Sequence, residues 1–409
     1  MNQDIELNNT LSTSLHTIGY NETLPTGTTS KRLSNFVNQL ARFTNETNNV
    51  AYFVNLTSIR YLTNFTGSNA TLIIHSTNEH PNQIYFVTDA RYLEQAKLEL
   101  SDLFKSDEFD VEILDQSTHS VVQMLQTSCE NRNSSALSIE YKHFTVDKFL
   151  AIQDALGSAC KFHNIDNVLA DQRSVKEPFE IELLKCAAQI STNAFEACID
   201  SIQGPISEID LARELNYTML KLGATGIAFD TIVASGNNSS YPHAQPTNRR
   251  IMLGDLVVID FGAEYFGYRS DCTRSIAYGG EFSDRRIDTT VEIVKSAQQA
   301  GIDSCQIGTT FSDIDRACRA SMPPQYAKRF THGTGHGIGL DIHESPWVSP
   351  SCNQPILRDM VFTIEPGVYF PGEFGVRIED SILTTVEGPI QITNLSKSTT
   401  YENFTSHQD

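Results

Sequence analysis

A change of pattern near residue 170 divides this sequence into two kinds of chain. Before it, from residue 30 to residue 168, short runs rich in β-branched and aromatic residues alternate with segments of helical spacing. Strands and helices in such alternation are typical of a layered α/β domain. The predicted strands lie at residues 50–54, 70–74, 84–88, 110–114 and 136–140.

After the change, pairs of helices stand beside predicted β-hairpins. Residues 176–202 carry apolar side chains at helical spacing, and a second helix follows with Ser207 and Asp210 in a capping-box pattern. A similar helix pair recurs at residues 287–318, with Ser312 predicted as the cap of its second helix. Two helix pairs, each next to a hairpin, indicate an internal duplication of topology.

Length and pattern together predict two domains with short ends. At about 150 residues per domain, a chain of 409 residues has room for two or three domains, and the pattern accounts for two. We expect a mobile arm at residues 1–29 and an α/β domain at 30–168. A second domain follows at 169–400, and a tail at 401–409.

Composition excludes several functional classes. Lys and Arg number 30 and Asp and Glu number 50, which gives a formal net charge of -20. Such a charge repels nucleic-acid phosphates and anionic membrane surfaces. The first residues lack the basic and apolar regions of a signal peptide, and the eight cysteines include no C-x-x-C pair. We therefore expect a cytoplasmic protein that binds neither nucleic acid nor membranes.

The first hairpin after the change carries two aspartates. Residues 256–276 have the pattern of two strands joined by a turn at Tyr265 and Phe266, and that turn places Asp260 opposite Asp271. Residues that are directly opposed share one face of a sheet. Asp260 follows an apolar run, where burial of a carboxylate is unfavourable unless a cation or several donors compensate. The alternative is an aspartate that caps a turn or forms a salt bridge.

The second hairpin carries two glutamates in the same way. Residues 361–385 form two β-rich runs around a predicted three-residue loop at 371–373, which places Glu365 opposite Glu379. Glu365 also follows an apolar run. Four acids that converge in a partly dry site cannot all stay ionised without cations.

His336 adds a nitrogen ligand to these acids. It lies within the glycine-dense segment HGTGHGIGLDIHESP at residues 332–346, which lacks the G-K-[ST] ending of a phosphate-binding loop. One histidine and four carboxylates suit hard, oxygen-preferring divalent ions, so Mn²⁺ is the first choice, with Co²⁺ and Zn²⁺ as alternatives. Such a set can hold two ions about 3.5–4 Å apart that share and deprotonate a water molecule.

Seven blocks of sequence carry a family resemblance: YLTNFTGSNA at 61–70, TDARY at 88–92, SYPHAQP at 240–246, DFGAEYFGYRSDCTR at 260–274, HGTGHGIGLDIHESP at 332–346, TIEPGVYF at 363–370 and GVRIED at 375–380. The first two blocks resemble the creatinase-type N-terminal domain. The other five resemble the pita-bread metallopeptidases, in particular the branch of Xaa-Pro dipeptidases (prolidases) and aminopeptidase P. The resemblance implies a fold of mixed α/β (α+β) class, in which a creatinase-like N-terminal domain precedes a pita-bread domain with pseudo-twofold helix pairs around a curved antiparallel sheet.

The resemblance also implies roles for the metal ligands. Asp271 and Glu379 would bridge two divalent ions, and Asp260 would bind one of them in bidentate fashion. His336 and Glu365 would bind the other ion. Glu365 would in addition accept the proton of the bridging water.

Three more histidines and two further side chains match site positions of the family. His343 would hydrogen-bond the scissile carbonyl or the oxyanion, His243 would lie near the scissile amide, and His332 would face the proline. Arg377 and Tyr369 are the candidates for substrate binding.

The implied activity is hydrolysis of the Xaa-Pro bond at the N-terminus of dipeptides or short peptides, by a homodimer. Two alternatives use the same fold. A methionine-aminopeptidase-like hydrolase shares the five ligands, but such enzymes usually lack the creatinase-type domain. A non-catalytic module that binds peptides has usually lost the ligands, whereas the ligand set of this sequence is intact.

Overall fold

The computed structural model describes residues 24–46, 48–77, 81–131, 136–202, 204–401 and 404. Contacts divide the chain into two compact units, with the boundary between Gln172 and Arg173. Most of the arm predicted at residues 1–29 lies outside the described residues, as does most of the tail predicted at 401–409. Within the described parts of the chain, no helix has the length and apolarity needed to cross a membrane.

The first unit alternates helices and strands, as the sequence predicts. The elements are α1 Thr28–Thr44, β1 Asn49–Phe53, α2 Leu56–Thr63, β2 Ala70–Ser76, β3 Asn82–Thr88, α3 Leu93–Glu99, β4 Phe109–Asp115, α4 Val121–Asn131, β5 Ala136–Ile139, α5 Val146–Leu156, β6 Lys161–Asn164 and α6 Asp166–Ser174. The strands form one six-stranded sheet in the order β4-β3-β2-β1-β5-β6. The pairs β1–β2 and β2–β3 are antiparallel, and the other three pairs are parallel.

The second unit contains the two predicted helix pairs. Ser207 caps the second helix of the first pair by accepting a hydrogen bond from the backbone N–H of Asp210, as predicted. The helices are α7 Pro178–Ser201, α8 Glu208–Lys221, α9 Arg285–Asp303, α10 Phe311–Ser321 and the short α11 Pro324–Ala327.

The predicted cap of α10 is wrong by two residues. Thr310 is the N-cap, and it forms a reciprocal capping box with Asp313. The threonine hydroxyl and the aspartate carboxylate each accept a backbone N–H of the other residue, which satisfies two donors that a helix start leaves free. Ser312 lies inside the first turn, and its hydroxyl donates to the side chain of Asn353 at 3.2 Å.

The strands of the second unit are antiparallel throughout their pairings. They are β7 Gly226–Ile227, β8 Ile232–Ser235, β9 Leu256–Phe261, β10 Ala263–Tyr265, β11 Tyr268–Arg269, β12 Cys272–Ala277, β13 Gly335–Gly337, β14 Glu344–Val348, β15 Val361–Ile364, β16 Gly367–Phe370, β17 Phe374–Arg377, β18 Asp380–Thr385 and β19 Gly388–Gln391. These strands form sheets in the orders β11-β10-β7, β12-β9-β8, β14-β13-β15-β18-β19 and β16-β17.

Two apolar cores hold these sheets to the helices. One core packs α7 and α8 against β9 and β12. The other packs α9 and α10 against β15 to β18. Each helix pair therefore covers one hairpin, which is the repeat of topology that the sequence predicts.

The turn of the first acidic hairpin lies one residue later than predicted. Tyr265 pairs with Tyr268, so the turn consists of Phe266 and Gly267. The turn residues have φ angles of 47° and 87°. Positive φ at both positions is the conformation of a type I′ turn, which suits the twist of a two-residue hairpin.

This shift changes the partner of the first aspartate. Asp260 pairs with Thr273, so the predicted direct opposition of Asp260 and Asp271 is wrong. The register has moved by two positions, and side chains alternate between faces with a period of two. Asp271 therefore lies diagonally from Asp260 on the same face, still within reach of a shared ligand.

The second acidic hairpin has the predicted register. Phe370 pairs with Phe374 across a three-residue loop. The pairing of β15 with β18, farther from the loop, continues in the same register. In this register Glu365 and Glu379 face each other at the break between the two strand pairs.

Part of the predicted C-terminal tail packs into the second unit. Phe404 is fully buried, and its ring lies 4.9 Å from that of Tyr278. The ring of Tyr401 lies 5.6 Å from that of Phe195 in α7. These contacts extend the first core beyond the predicted domain end.

Candidate metal centre

The five predicted ligands all lie in the second unit, on or beside short strands. Asp260 is the penultimate residue of β9, and Asp271 directly precedes β12. His336 is the middle residue of β13. Glu365 directly follows β15, and Glu379 directly precedes β18. Strand ends from both hairpins thus supply the acids.

His336 stands among three of these acids. Its Nε2 lies 3.7 Å from Oδ2 of Asp271 and 3.3 Å from Oε1 of Glu365. One ligand atom each from Asp271, His336 and Glu379 lie within 4.8 Å of one another. No other group of three or more potential ligands this close occurs in the part of the chain that the structure describes.

The backbone around His336 directs its ring toward the acids. Nδ1 donates to the carbonyl of Gly337 at 3.2 Å, which leaves Nε2 to face the carboxylates. The backbone N–H of His336 donates to Oγ1 of Thr363 at 3.1 Å. A Cβ on Gly335 would lie 2.0 Å from the carbonyl oxygen of Thr363, so this close approach of two strands requires glycine.

Two buried carboxylate oxygens of the centre have no hydrogen-bond partner among the residues that the structure describes. They are Oδ1 of Asp260 and Oε1 of Glu379. Burial, together with the charges of neighbouring acids, holds the pKa of Asp271 and the pKa of Glu379 well above their usual range. Buried acids that lack donors are unfavourable unless a cation compensates. The oxygen and imidazole donors fit divalent metal ions.

Glu365 differs from these acids because a histidine faces it. Burial raises its pKa, but the hydrogen bond and charge of His336, with further charge from His332 and Arg377, lower it to about 2. Burial lowers the pKa of His336, and the contact with Glu365 outweighs this and raises it. Oγ1 of Thr363 also donates to Oε1 of Glu365 at 3.2 Å. The glutamate is thereby held as a carboxylate.

Arg377 connects the two hairpins. Its Nη2 donates to Oδ2 of Asp260 at 2.6 Å, and its Nε donates to Oγ1 of Thr273 at 3.2 Å. The same threonine hydroxyl donates to Oε2 of Glu379 at 2.6 Å. Nη1 of Arg377 donates to the hydroxyl of Tyr369 at 3.0 Å. One guanidinium therefore positions acids from both halves of the centre.

The structure places the three further histidines at different depths. Nε2 of His332 lies 3.1 Å from the hydroxyl of Tyr369, and burial lowers the pKa of this histidine. His343 is exposed, and its ring centroid lies 4.3 Å from that of His336. The pKa of His343 is lowered by partial burial, by the nearby His336 and, to a smaller extent, by His243. His243 is exposed.

Trp347 is a neighbour of the centre that sequence reasoning missed. It is the cross-strand partner of His336, and partners on adjacent strands share a sheet face. The ring centroids are 6.4 Å apart, and the tryptophan is 51% exposed. It is the only tryptophan of the chain. The signal lies in strand pairing, which the glycine-rich sequence around β13 does not reveal.

A second buried ionic group lies beside the segment that carries His343. Oε2 of Glu344 accepts from Arg173 at 2.5 Å, and Oε1 accepts from Lys176 at 2.8 Å. Arg173 also donates to Asp341 at 2.8 Å. Burial raises the pKa of Glu344, but the two cations outweigh it and lower the pKa. Sequence reasoning assigned no role to these four residues, which come from distant parts of the chain.

Comparison with known proteins agrees with this geometry. The profile of metallopeptidase family M24 matches residues 182–386, and that of the creatinase/prolidase N-terminal domain matches residues 14–175. An uncharacterized peptidase of Bacillus subtilis is 35% identical over 342 residues, which are 83% of this chain and 92% of the relative.

Two solved structures extend the likeness over nearly the whole chain. A Xaa-Pro dipeptidase from Bacillus anthracis has 34% identity and a TM-score of 0.79, and the match covers 89% of this chain and 98% of that one. An X-Pro aminopeptidase from Thermotoga maritima has 33% identity and a TM-score of 0.73, with 86% and 97% covered.

The fold and the buried acids around His336 define a metal-dependent hydrolase. The chain belongs to metallopeptidase family M24 and carries the N-terminal domain of the creatinase and prolidase type. This membership confirms the family resemblance, the creatinase-like and pita-bread fold, and the prediction of a metal-dependent peptidase. It also accounts for divalent metal ions as the cofactor class.

Proposed function

We propose that this protein hydrolyses the bond between an N-terminal residue and a following proline, in dipeptides and short peptides, with two divalent ions. Asp260, Asp271, Glu365 and Glu379 would hold the ions through carboxylate oxygens, and His336 would hold them through an imidazole nitrogen. We take Mn²⁺ as the working metal.

The observation that carries this proposal is the uncompensated negative charge of the centre. Among the described residues, Oδ1 of Asp260 and Oε1 of Glu379 are buried without a hydrogen-bond partner. Arg377 contacts Asp260 directly and brings one positive charge to these acids. A pair of divalent ions would satisfy the free oxygens and offset the burial and the repulsion that raise the pKa of Asp271.

Glu365 is the proposed general base. Bound divalent ions would polarise the scissile carbonyl and lower the pKa of an attacking water. The carboxylate of Glu365 would accept the proton of that water and return it to the proline nitrogen when the bond breaks. The hydrogen bond from the hydroxyl of Thr363 helps to hold it in one orientation.

The histidines would bind and orient the substrate. His343 would donate a hydrogen bond to the carbonyl oxygen as negative charge develops on it, because its lowered pKa favours the neutral ring with one N–H. His243 would lie near the scissile amide. His332 would face the proline, and its contact with Tyr369 links it to Arg377.

A proline at the second position explains the need for such a site. The Xaa-Pro bond is a tertiary amide without an N–H, so a peptidase cannot hold it through the usual backbone hydrogen bonds. A metal centre can instead recognise the free amine, the carbonyl and the ring. The names of the similar structures, a Xaa-Pro dipeptidase and an X-Pro aminopeptidase, support this substrate class.

A substrate series tests the proposal. Protein stripped with a chelator and reloaded with Mn²⁺ should release proline from Leu-Pro and cleave Leu-Pro-Ala after the first residue. Leu-Ala, which lacks the proline, is the matched control and should react at least tenfold more slowly. Cleavage of Met-Ala-Ser with no cleavage of either proline peptide would support a methionine aminopeptidase instead. If metal-loaded protein cleaves none of these, the peptidase proposal is wrong.

The remaining expectations concern metal, assembly and location. Activity should return more fully with Mn²⁺ than with Zn²⁺ after chelation. Light scattering after gel filtration should give twice the chain mass, as a homodimer requires. A fluorescent fusion should distribute through the cytoplasm. The mass and the location are measured without the substrate assay.

A further inference from the structure

Glu208 is a fully buried acid whose carboxylate accepts hydrogen bonds from one segment of the chain, residues 235–247. It lies in the first turn of α8 and is 0% exposed. Its carboxylate accepts six hydrogen bonds, from the N–H and hydroxyl of Ser235, twice from the amide of Asn238, and from the N–H and hydroxyl of Thr247.

The two oxygens hold opposite ends of this segment. Oε1 accepts both bonds of Ser235 at 2.7 Å, and Oε2 accepts those of Thr247 at 3.1 and 2.6 Å. The side chain of Asn238 donates to both oxygens at 3.1 Å. His243 lies between the two ends, in residues 235–247. One carboxylate therefore closes the segment that carries this histidine.

The opposite side of the segment rests on the second acidic hairpin. Ser239 and Ser240 accept hydrogen bonds from backbone N–H groups of the β16–β17 hairpin at 3.0 and 3.2 Å. The carbonyl of Pro242, next to His243, accepts from Nη1 of Arg377 at 3.0 Å. The segment is thus held between Glu208 and the guanidinium that contacts Asp260.

The chemistry of these bonds makes the carboxylate hard to replace. Bonds from backbone N–H groups to an ionised acceptor are about twice as strong as neutral ones. A donor left without its acceptor inside the protein is destabilising. The groups that donate to Glu208 directly are neutral, and the guanidinium of Arg249 donates in turn to the hydroxyl of Ser235. The carboxylate therefore depends on donors from both ends of the segment.

We propose that Glu208 is a positioning residue for catalysis, which fixes residues 235–247 so that His243 faces the substrate. This inference rests on the proposed peptidase function. It assigns an effect on the reaction rate to a residue that lies outside the metal centre, on the helix pair of the first core.

Glu208→Gln tests the inference with little change in shape. Each carboxylate oxygen accepts one backbone N–H, from Ser235 or from Thr247. A glutamine places an NH₂ group against one of these donors whichever way its amide is turned. The backbone hydrogen bond at one end of residues 235–247 is therefore lost. Glu214→Gln, at an exposed position of the same helix, is the matched control.

A milder pair of variants guards against loss of folding in Glu208→Gln. Thr247→Val keeps the size of the side chain and removes its hydroxyl bond to Glu208. Thr247→Ser keeps the hydroxyl. We expect kcat/KM to fall about 3- to 10-fold in the valine variant and to be restored in the serine variant.

Hydrogen exchange provides a readout that needs no activity. In Glu208→Gln, peptides that cover residues 235–247 should exchange faster, whereas Glu214→Gln should match the wild type. The metal content of the purified protein should not change, because Glu208 contacts none of the ligands. Unchanged exchange in the segment would overturn the positioning role.

A double-mutant cycle with His243 decides whether the segment acts through that histidine. Glu208→Gln should lower kcat/KM on Leu-Pro about 10- to 100-fold in the wild type. In the His243→Ala background, the same change should have less than about threefold effect, because coupled residues are not additive. Equal effects in both backgrounds would overturn the inference.

The two proposals fail in different ways. If the wild type cleaves no Xaa-Pro peptide, the proposed function fails, and the exchange measurement still decides whether Glu208 holds the segment. If the wild type is active and Glu208→Gln keeps full kcat/KM, the inference about Glu208 alone is wrong.

Discussion

Two groups of buried acids in the second unit have opposite electrostatic surroundings. Glu344 lies against Arg173 and Lys176, and these cations lower its pKa. Asp271 and Glu379 are at least as buried but lie among other acids, and their pKa values are raised. In the first group, the protein itself supplies the cations that compensate the acid. The acids of the second group are stable as carboxylates only when positive charge is added.

This difference separates a structural ion pair from a metal site. A buried acid with its own cations contributes to folding directly, whereas acids that repel one another indicate a ligand. The same contrast explains the position of Arg377. It contacts Asp260 but offers only one charge to a centre of four acids, so it orients Asp260 and leaves most of the negative charge of the centre uncompensated.

The largest expected effect is on catalysis, from Glu365→Ala. Loss of the proposed base should lower kcat about 1000-fold on Leu-Pro at saturating Mn²⁺. The fold should remain, as judged by circular dichroism and thermal unfolding. Glu387→Gln, at an exposed turn, is the control and should keep wild-type kcat. A kcat within tenfold of the wild type would refute the role of Glu365.

The next effect is on stability, from Glu344→Gln. Removing one partner of a buried ion pair costs about 3 kcal/mol, so the free energy of unfolding should fall by this amount at pH 7. The pKa of Glu344 is lower in the folded protein than its usual value of 4.5. Its stabilisation is therefore present above pH 4.5 and is lost as pH falls through the lower, folded-state pKa.

Urea unfolding at a series of pH values measures this difference. The gap between wild type and Glu344→Gln should be widest near neutral pH and should narrow below about pH 4. Added Mn²⁺ should stabilise both proteins equally, because Glu344 is not a ligand. A gap that stays constant down to pH 3 would contradict the assigned charge pair.

A third prediction concerns Glu379→Gln, which tests the acids without cations. At a Mn²⁺ concentration about 100 times Kd, binding stabilises the folded protein by about 2.7 kcal/mol. The variant should lose this gain. Without metal it should be about as stable as the wild type, because the raised pKa of Glu379 already favours a neutral group.

Differential scanning calorimetry with and without Mn²⁺ provides the measurement. Glu344→Gln is the matched control: it should start at a lower Tm and still show the rise with Mn²⁺. If Glu379→Gln keeps the full rise in Tm, this glutamate is not a ligand, and the comparison of the two groups fails.

The smallest expected signal comes from Trp347, which shares a sheet face with His336. As the only tryptophan, it reports on the centre without labelling. Mn²⁺ should partly quench its fluorescence, with the same midpoint as the recovery of activity. Quenching that persists in Glu379→Gln would place the bound metal elsewhere.

The sequence predicts the second hairpin better than the first because the loops differ. The loop at 371–373 permits one register, and the structure has it. In the first hairpin, Tyr265-Phe266 and Phe266-Gly267 are both possible turns, and glycine at the second position favours the latter. Because the real turn lies one residue later, the partner of Asp260 is Thr273 and not Asp271. The register differs by two positions, which is an even number, so Asp260 and Asp271 still lie on the same face of the sheet.

Other features could not be read from local sequence. Thr310 and Ser312 are both good caps, and each is followed three residues later by an aspartate, so the local pattern does not decide between them. In the structure the cap is Thr310, with Asp313 as its partner. Arg173 and Glu344 are far apart in the chain, so no periodic pattern connects them. The hydrogen bonds of Glu208 likewise depend on how the segment at 235–247 folds back over α8.

By itself, the sequence determined the alternation of helices and strands, the kinds of side chain that converge on the centre, and the face on which each acid lies. These depend on spacing, turn residues and strand period, which are local properties. Only the tertiary structure decided which acids have cations and which do not. That outcome depends on Arg377, Thr273 and Glu344 meeting partners from distant segments, because burial and charge are set by the packed neighbours and not by the adjacent residues.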